Sequence, residues 1–337
     1  MAGRNLAIAL GAFIVACRLL GWALPFPEVQ GITPKWEFFK AHRDQYEVVF
    51  IGSSRLYHQI IPSEFDETVS AAGGRVSSFN FALDAMWPPE TFYLLRQLLT
   101  LHPPHLRWVV IELLDFRPLI LENANTSRMM YWHDSWHTFL ALRDLYMLRR
   151  RWSYKWPFIE EHLWLWLQRS CNYGRAIDSI KARLDPSLAK SPPPRWMATT
   201  GFAPGPNEGL KGKELEEFLG GVKRLREARP VYPMRTVLQT ELHDLITLVR
   251  QAGAEPVFLL SPTLNPLQNM EGIPDGPTVL GFGDPTEYSQ LYNPELWYDE
   301  VHLNPTGAKL YTDLVARKFV EKVLGSTKTP TSPPAGP

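Results

Sequence analysis

Cysteine is nearly missing from this chain: there are two in 337 residues, Cys17 inside an apolar run and Cys171 in a helical stretch, so no disulfide framework is indicated. Net charge is missing too. Thirty-five basic side chains balance 35 acidic ones, which removes the electrostatic ground for expecting a nucleic-acid partner. No grouping of histidine, cysteine and carboxylates has metal-site spacing, and neither a glycine-rich dinucleotide loop nor a phosphate loop occurs. No internal repeat is evident. What remains is an apolar content of 45% against 21% charged, enough core for one large domain with insertions or for two modest ones.

The amino terminus carries the one long apolar run. Arg4 precedes Leu6 to Cys17, Arg18 interrupts, and Leu19 to Pro25 follows. Counted through Arg18 the stretch is about 20 residues, enough to span a bilayer if the arginine snorkels to an interface. The leading reading is an uncleaved signal anchor over residues 1–25 that leaves Arg4 in the cytoplasm and puts the rest of the chain on the extracytoplasmic side. Cleavage after Ala23 is a second reading, and lipidation at Cys17 after Ile14-Val15-Ala16 is a third.

Beyond a short connector, Glu47 to Ile51 is a β-branched apolar run ended by Gly52-Ser53-Ser54-Arg55, as expected of a buried parallel strand entering a tight turn. Arg75 to Phe81, Leu106 to Leu113 and Glu255 to Pro262 read as further strands. Helical patterns lie at Pro88 to Leu101, Thr236 to Ala252 and Pro305 to Val323. The alternation predicts a parallel sheet covered by helices on both faces. The halves of this α/β domain, residues 26–116 and 236–325, are separated by an insertion over 117–235, far longer than a loop.

Six of the twelve tryptophans fall between Trp132 and Trp166, beside the basic run Arg149-Arg150-Arg151. One reading is a helical cap whose aromatic side chains pack on the α/β core; another lays Arg149 to Trp166 on a membrane surface or membrane partner. Ser191 to Pro206 reads as an irregular connector and residues 326–337 as a disordered tail.

Chemistry concentrates at the two ends of the α/β region. In Trp297-Tyr298-Asp299-Glu300-Val301-His302-Leu303-Asn304-Pro305, Asn304 is a good N-cap and Pro305 suits a first helical turn, so Asp299 and His302 project from a loop entering a helix. An imidazole so placed, oriented by a carboxylate, is the base that a serine hydroxyl needs to attack at neutral pH. The turn Gly52-Ser53-Ser54, at the strand end where open α/β sheets hold ligands, offers Ser54 as nucleophile, with Ser53 as a fallback.

Gly52-Ser53-Ser54, Asn80-Phe81-Ala82 and Asp299 to Asn304 together resemble the sequence blocks of the SGNH (GDSL-like) hydrolase superfamily, most closely its membrane-tethered bacterial branch. The resemblance covers residues 46–115 and 236–323 and not the insertion. It implies a flavodoxin-like three-layer α/β/α fold and a catalytic Ser54, Asp299 and His302 without a cofactor. The oxyanion hole would comprise the backbone N–H of Ser54 and that of Ala82, with Asn80 either a substitute side-chain donor or, the reading favoured, a turn-capping side chain. Two departures stand out: many members have glycine where this chain has Ala82, and the third block, Ile111-Glu112-Leu113-Leu114-Asp115, lacks the usual asparagine after a glycine. Arg55 would ion-pair at the sheet edge or bind an anionic substrate group, while His58, Asp84, Glu112 and Asp115 fall near strand ends with structural or solvated roles.

The function expected is therefore a membrane-anchored esterase or O-acyltransferase, moving an acyl group such as acetyl on a cell-envelope glycan beside a membrane-bound O-acyltransferase partner. The alternative is a catalytically silent scaffold or glycan-binding protein of the same fold.

Overall fold

A computed structural model of the chain describes residues 2–23, 26, 29, 31–119, 126–172, 200–228, 231–264 and 270–325. The tail at 326–337 and the first part of the expected connector, 191–199, lie outside the described residues. Two compact units emerge, residues 1–34 with 117–193 and residues 35–116 with 194–337.

The larger unit is α/β. Its strands are β1 (Val48–Ile51), β2 (Ser78–Asn80), β3 (Trp108–Glu112), β4 (Tyr232–Pro233), β5 (Glu255–Leu260), β6 (Met270–Glu271) and β7 (Thr278–Gly281). Five form an all-parallel sheet in the order β2-β1-β3-β5-β7, while β4 and β6 pair separately. The edge strand β7 was not among the strands expected from sequence: its Thr-Val-Leu-Gly is short and sits between Gly276-Pro277 and Gly283, a setting that reads as loop.

Strand β1 is buried on both faces, as a central parallel strand must be. Val48 and Phe50 join a core with Phe65, Val69, Val315 and Phe319 from α4 (Pro62–Ala71) and α11 (Pro305–Phe319). Successive side chains alternate across a strand, so Val49 and Ile51 face the other way. Phe50 packs edge-to-face on Phe65 at 5.0 Å; truncating a phenylalanine so enclosed costs about 3–5 kcal/mol. The sheet turns outward in opposite directions from β1 and β3, whose C-terminal ends meet through the pairing of Ile51 with Ile111. Such a switch point leaves a crevice at the strand ends.

The smaller unit holds α1 (Ala2–Ala23), α6 (Ser127–Trp132), α7 (Ser135–Met147) and α8 (Trp152–Ser170). Helix α1 is long and apolar enough to cross a membrane. Thr126 caps α6 and Asp134 caps α7, each side chain accepting a hydrogen bond from the N–H three residues on. Of the tryptophans in this unit, Trp132 is buried, whereas Trp136, Trp152, Trp156 and Trp164 are exposed. Residues 200–228 group with the α/β unit rather than the helical one. There, Phe218, Val222 and Leu225 of α9 (Gly212–Ala228) enter its core.

Candidate active site

Strand β1 delivers the chain into a turn that only glycine can make. A Cβ on Gly52 would lie 2.5 Å from Glu112 Cβ and 2.6 Å from Glu112 Oε2. Ser53 then caps α3 (Ser54–Gln59): its side chain accepts from the Arg55 N–H, and its own N–H donates to Glu112 Oε2 at 2.7 Å. Ser53 is thereby committed to the backbone, which sets it apart from its neighbour. Ser54, the first residue of α3, turns its Oγ to His302 Nε2 at 2.7 Å.

His302 sits in a closed hairpin. An isolated bridge joins Trp297 to Leu303, the Tyr298 N–H donates to the His302 carbonyl, and the Asn304 N–H donates to the Leu296 carbonyl. Asn304 caps α11 by accepting from the Gly307 N–H at 3.0 Å, and its amide donates to the Glu295 carbonyl at 2.7 Å. Within the hairpin, Asp299 Oδ1 accepts from the Val301 and His302 N–H groups, each at 2.7 Å, and Oδ2 lies 2.7 Å from His302 Nδ1. The Tyr298 ring stacks on the imidazole at 5.4 Å.

The partners assign the tautomer. Nδ1 faces a carboxylate and carries the proton, which leaves Nε2 to accept from the Ser54 hydroxyl. Burial would raise the Asp299 carboxyl, but the His302 hydrogen bond and charge and the two backbone donors outweigh it and hold the group below the usual carboxylate range. An ionised Asp299 keeps Nδ1 protonated and stabilises the imidazolium that proton abstraction would form.

On the oxyanion side Asn80 takes its turn-capping role and Ala82 departs from the expectation. Asn80 Nδ2 donates to the carbonyls of Leu56 at 2.7 Å and Ile60 at 2.8 Å, and Asn80 Oδ1 accepts the Ala82 N–H at 3.0 Å. Both expected donors are therefore engaged with protein, and Asn80 ties β2 to α3. Among the described residues, the Ser54 N–H is the one of the three without a hydrogen-bond partner. A strap from 200 to 203 fixes this side further, with the Thr200 carbonyl accepting from the Asn80 N–H and the Ala203 N–H donating to the Tyr57 carbonyl. Gly201 has φ +76, and a Cβ there would lie 1.8 Å from the Asn80 carbonyl oxygen.

Glu112 occupies the place where the third block lacks asparagine. Fully buried, it accepts from the Ser53 N–H, from Arg55 Nε at 3.0 Å and from Ser261 Oγ at 3.1 Å. The expected Arg55 ion pair thus joins the first turn of α3 to the central strand β3, not the sheet edge. Asp115 pairs with Arg235 at 2.9 Å. His58, one helical turn after Ser54, donates from Nδ1 to the Ala203 carbonyl at 2.7 Å and meets Asp84 Oδ1 through Nε2 at 2.8 Å, with its ring 5.8 Å from that of His302.

Sequence reasoning missed Lys35 altogether. It is buried, its ammonium donates to the Asn80 carbonyl at 3.3 Å and to the Ala82 carbonyl, and it lies 4.1 Å from the centre of the Tyr57 ring. Burial drives its pKa well below the ordinary lysine value, against the opposing pull of Asp84. A signal was present: in α2 (Ile32–His42), Lys35 shares the i, i+3, i+7 face with Ile32 and Phe39, a register for apolar side chains.

Among the described residues no three His, Cys, Asp or Glu side chains converge as a metal-binding group. Compared with known proteins, the chain matches no family model, and no curated protein matches it.

Proposed function

We propose that this chain is a serine-dependent esterase or O-acyltransferase of the SGNH type, anchored by α1 with its bulk outside the cytoplasm, acting on acyl groups of a cell-envelope glycan. The observation that carries the reading is the continuous relay from Asp299 through His302 to the Ser54 hydroxyl, with 2.7 Å at each step. In the proposed reaction His302 Nε2 takes the Ser54 proton as Oγ attacks an acyl carbonyl. The imidazolium then protonates the leaving alcohol, and the acyl-enzyme passes its acyl group to water or a sugar hydroxyl, activated by the same nitrogen. The Ser54 N–H is the backbone donor for the oxyanion; one such donor contributes about 3 kcal/mol to the transition state. Acetyl is the favoured acyl group and a membrane-bound O-acyltransferase the favoured supplier, both by the resemblance of the sequence blocks alone.

The engaged Asn80 and Ala82 donors favour a second reading, a silent scaffold of the same fold that binds glycan. A fluorophosphonate probe applied to the full chain in membranes separates the two. Labelling of wild type that vanishes in a folded Ser54→Ala variant supports catalysis; a folded wild type that is never labelled and releases no acetate from acetylated envelope glycan supports the scaffold.

A further inference from the structure

Helix α8 has two apolar sides, and among the described residues only one is covered. Its packed side carries Leu165 and His162, the latter bonded to His133 of the adjoining segment at 2.8 Å and flanked by the Trp132 ring. On another side, Trp152, Trp156, Leu163 and Leu167 recur at i, i+4, i+11 and i+15, a stripe within about 60° of helix circumference. These four side chains are 61%, 62%, 45% and 43% exposed. Trp136 and Phe139 of α7, stacked on each other at 5.7 Å, are exposed as well. An apolar surface of this kind on a solvated helix marks a binding face.

Three features of the same compact unit say what covers it. Helix α1, long and apolar enough to span a bilayer, belongs to that unit. The segment leaving α8 is tied to the last third of α1, where the Asn172 side chain donates to the Cys17 carbonyl, and beyond α1 Phe26 packs edge-to-face on Tyr131 of α6 at 5.4 Å and lies under the Arg169 guanidinium of α8. Cys17 is six residues, about 9 Å, from the C-terminal end of α1, so the tie falls near the interface depth where tryptophan and tyrosine collect. Arg149, Arg150 and Arg151, all exposed, form the turn into Trp152, complementary to anionic lipid phosphates.

We propose that the face of Trp152, Trp156, Leu163 and Leu167 lies in the headgroup and acyl boundary of the bilayer that α1 crosses, with Arg149 to Arg151 on anionic headgroups. The proposal rests on reading α1 as an anchor. An interfacial α8 would hold the chain to the lipid surface at a second place besides α1 and fix the roll of the helical unit about the α1 axis.

The test uses the full chain with Cys17→Ala and Cys171→Ala in vesicles of phosphatidylethanolamine and phosphatidylglycerol, with an environment-sensitive fluorophore on Leu163→Cys or, as the solvated control, on Lys309→Cys. Lipid-borne doxyl groups are expected to quench the label at 163 at least roughly threefold more than that at 309, and aqueous iodide to do the reverse. Iodide quenching equal at both positions overturns the proposal, as does protection of the 163 label from both quenchers, which means protein covers the face. Flotation after alkaline carbonate reads the anchor separately. A chain that fails to float overturns the anchor and this proposal together, whereas a floating chain with a water-exposed 163 label overturns this proposal alone.

Discussion

Two histidine–aspartate pairs stand side by side at the C-terminal end of the sheet, and they are chemically unlike. His302 meets Asp299 at Nδ1 and a hydroxyl at Nε2; a hydroxyl both donates and accepts, so the imidazole can take a proton and return it. His58 meets a carbonyl at Nδ1 and Asp84 at Nε2. Both of its partners only accept, so both bonds are satisfied only by the imidazolium. Burial would lower the His58 pKa, but the Asp84 hydrogen bond and the Ala203 carbonyl outweigh it, and the net shift is upward. The carboxylate does not decide whether such a pair is a base or a fixed cation; the atom at the other ring nitrogen does.

The largest test of that contrast removes the relay. Asp299→Asn or His302→Gln should lower ester turnover by about 10³–10⁴-fold with folding intact, read as kcat on an acetyl ester. Full activity in either variant would collapse the distinction. Next is the frame beneath α3, the helix that carries Ser54 and His58. Glu112→Gln leaves Arg55 buried beside a neutral amide and should destabilise the fold by about 3–5 kcal/mol, measured as a shift of the denaturant midpoint.

His58→Gln should change turnover by no more than about tenfold, well short of the 10²–10⁴ that loss of a general base costs. A loss as deep as that of His302→Gln would mean His58 moves a proton after all.

A finer test is pH. The His58 pair, with its folded pKa raised, contributes stability that is complete below the ordinary histidine value of about 6.5 and disappears as pH rises through the folded pKa. The Asp299 pair, with its carboxyl depressed, contributes stability above about pH 3.9 that is lost as pH falls through the folded value. Asp84→Asn should lower the His58 midpoint in an NMR titration of the ring protons and leave the Asp299 acid limb in place. The smallest effect is the floor for all of these. The exposed Lys309 to Glu64 pair, far from either histidine in chemistry, should contribute at most about 1 kcal/mol on Lys309→Ala, by the same denaturant measurement.

Much of the α/β unit was legible because its signals are local. A β-branched run ending at Gly52 and an Asn-Pro pair opening a helix each declare an element within ten residues. Asp299 and His302 were legible for the same reason: three residues apart in one hairpin, they can pair without help from the rest of the fold. The strand β7 and the strap at 200–203 were not, since neither has periodicity and both are held by partners distant in sequence. On the oxyanion side the sequence left Asn80 open between a donor and a turn cap, and Ala82 looks available. Their availability depended on whether Leu56 and Ile60 would present carbonyls to the Asn80 amide.

By itself the sequence determined most of the elements around the site, the turn that carries Ser54, the pairing of Asp299 with His302 in one loop, and an apolar helix at the amino terminus. Those follow from residue type, spacing and backbone preference, which act over short range. Only the tertiary structure decided which polar atoms are already engaged: Glu112 under the Ser53 turn, Lys35 behind the Asn80 turn, and His58 between two acceptors. A buried polar group must find its partner wherever the packed chain supplies one, and these partners lie 26 to 145 residues away in sequence.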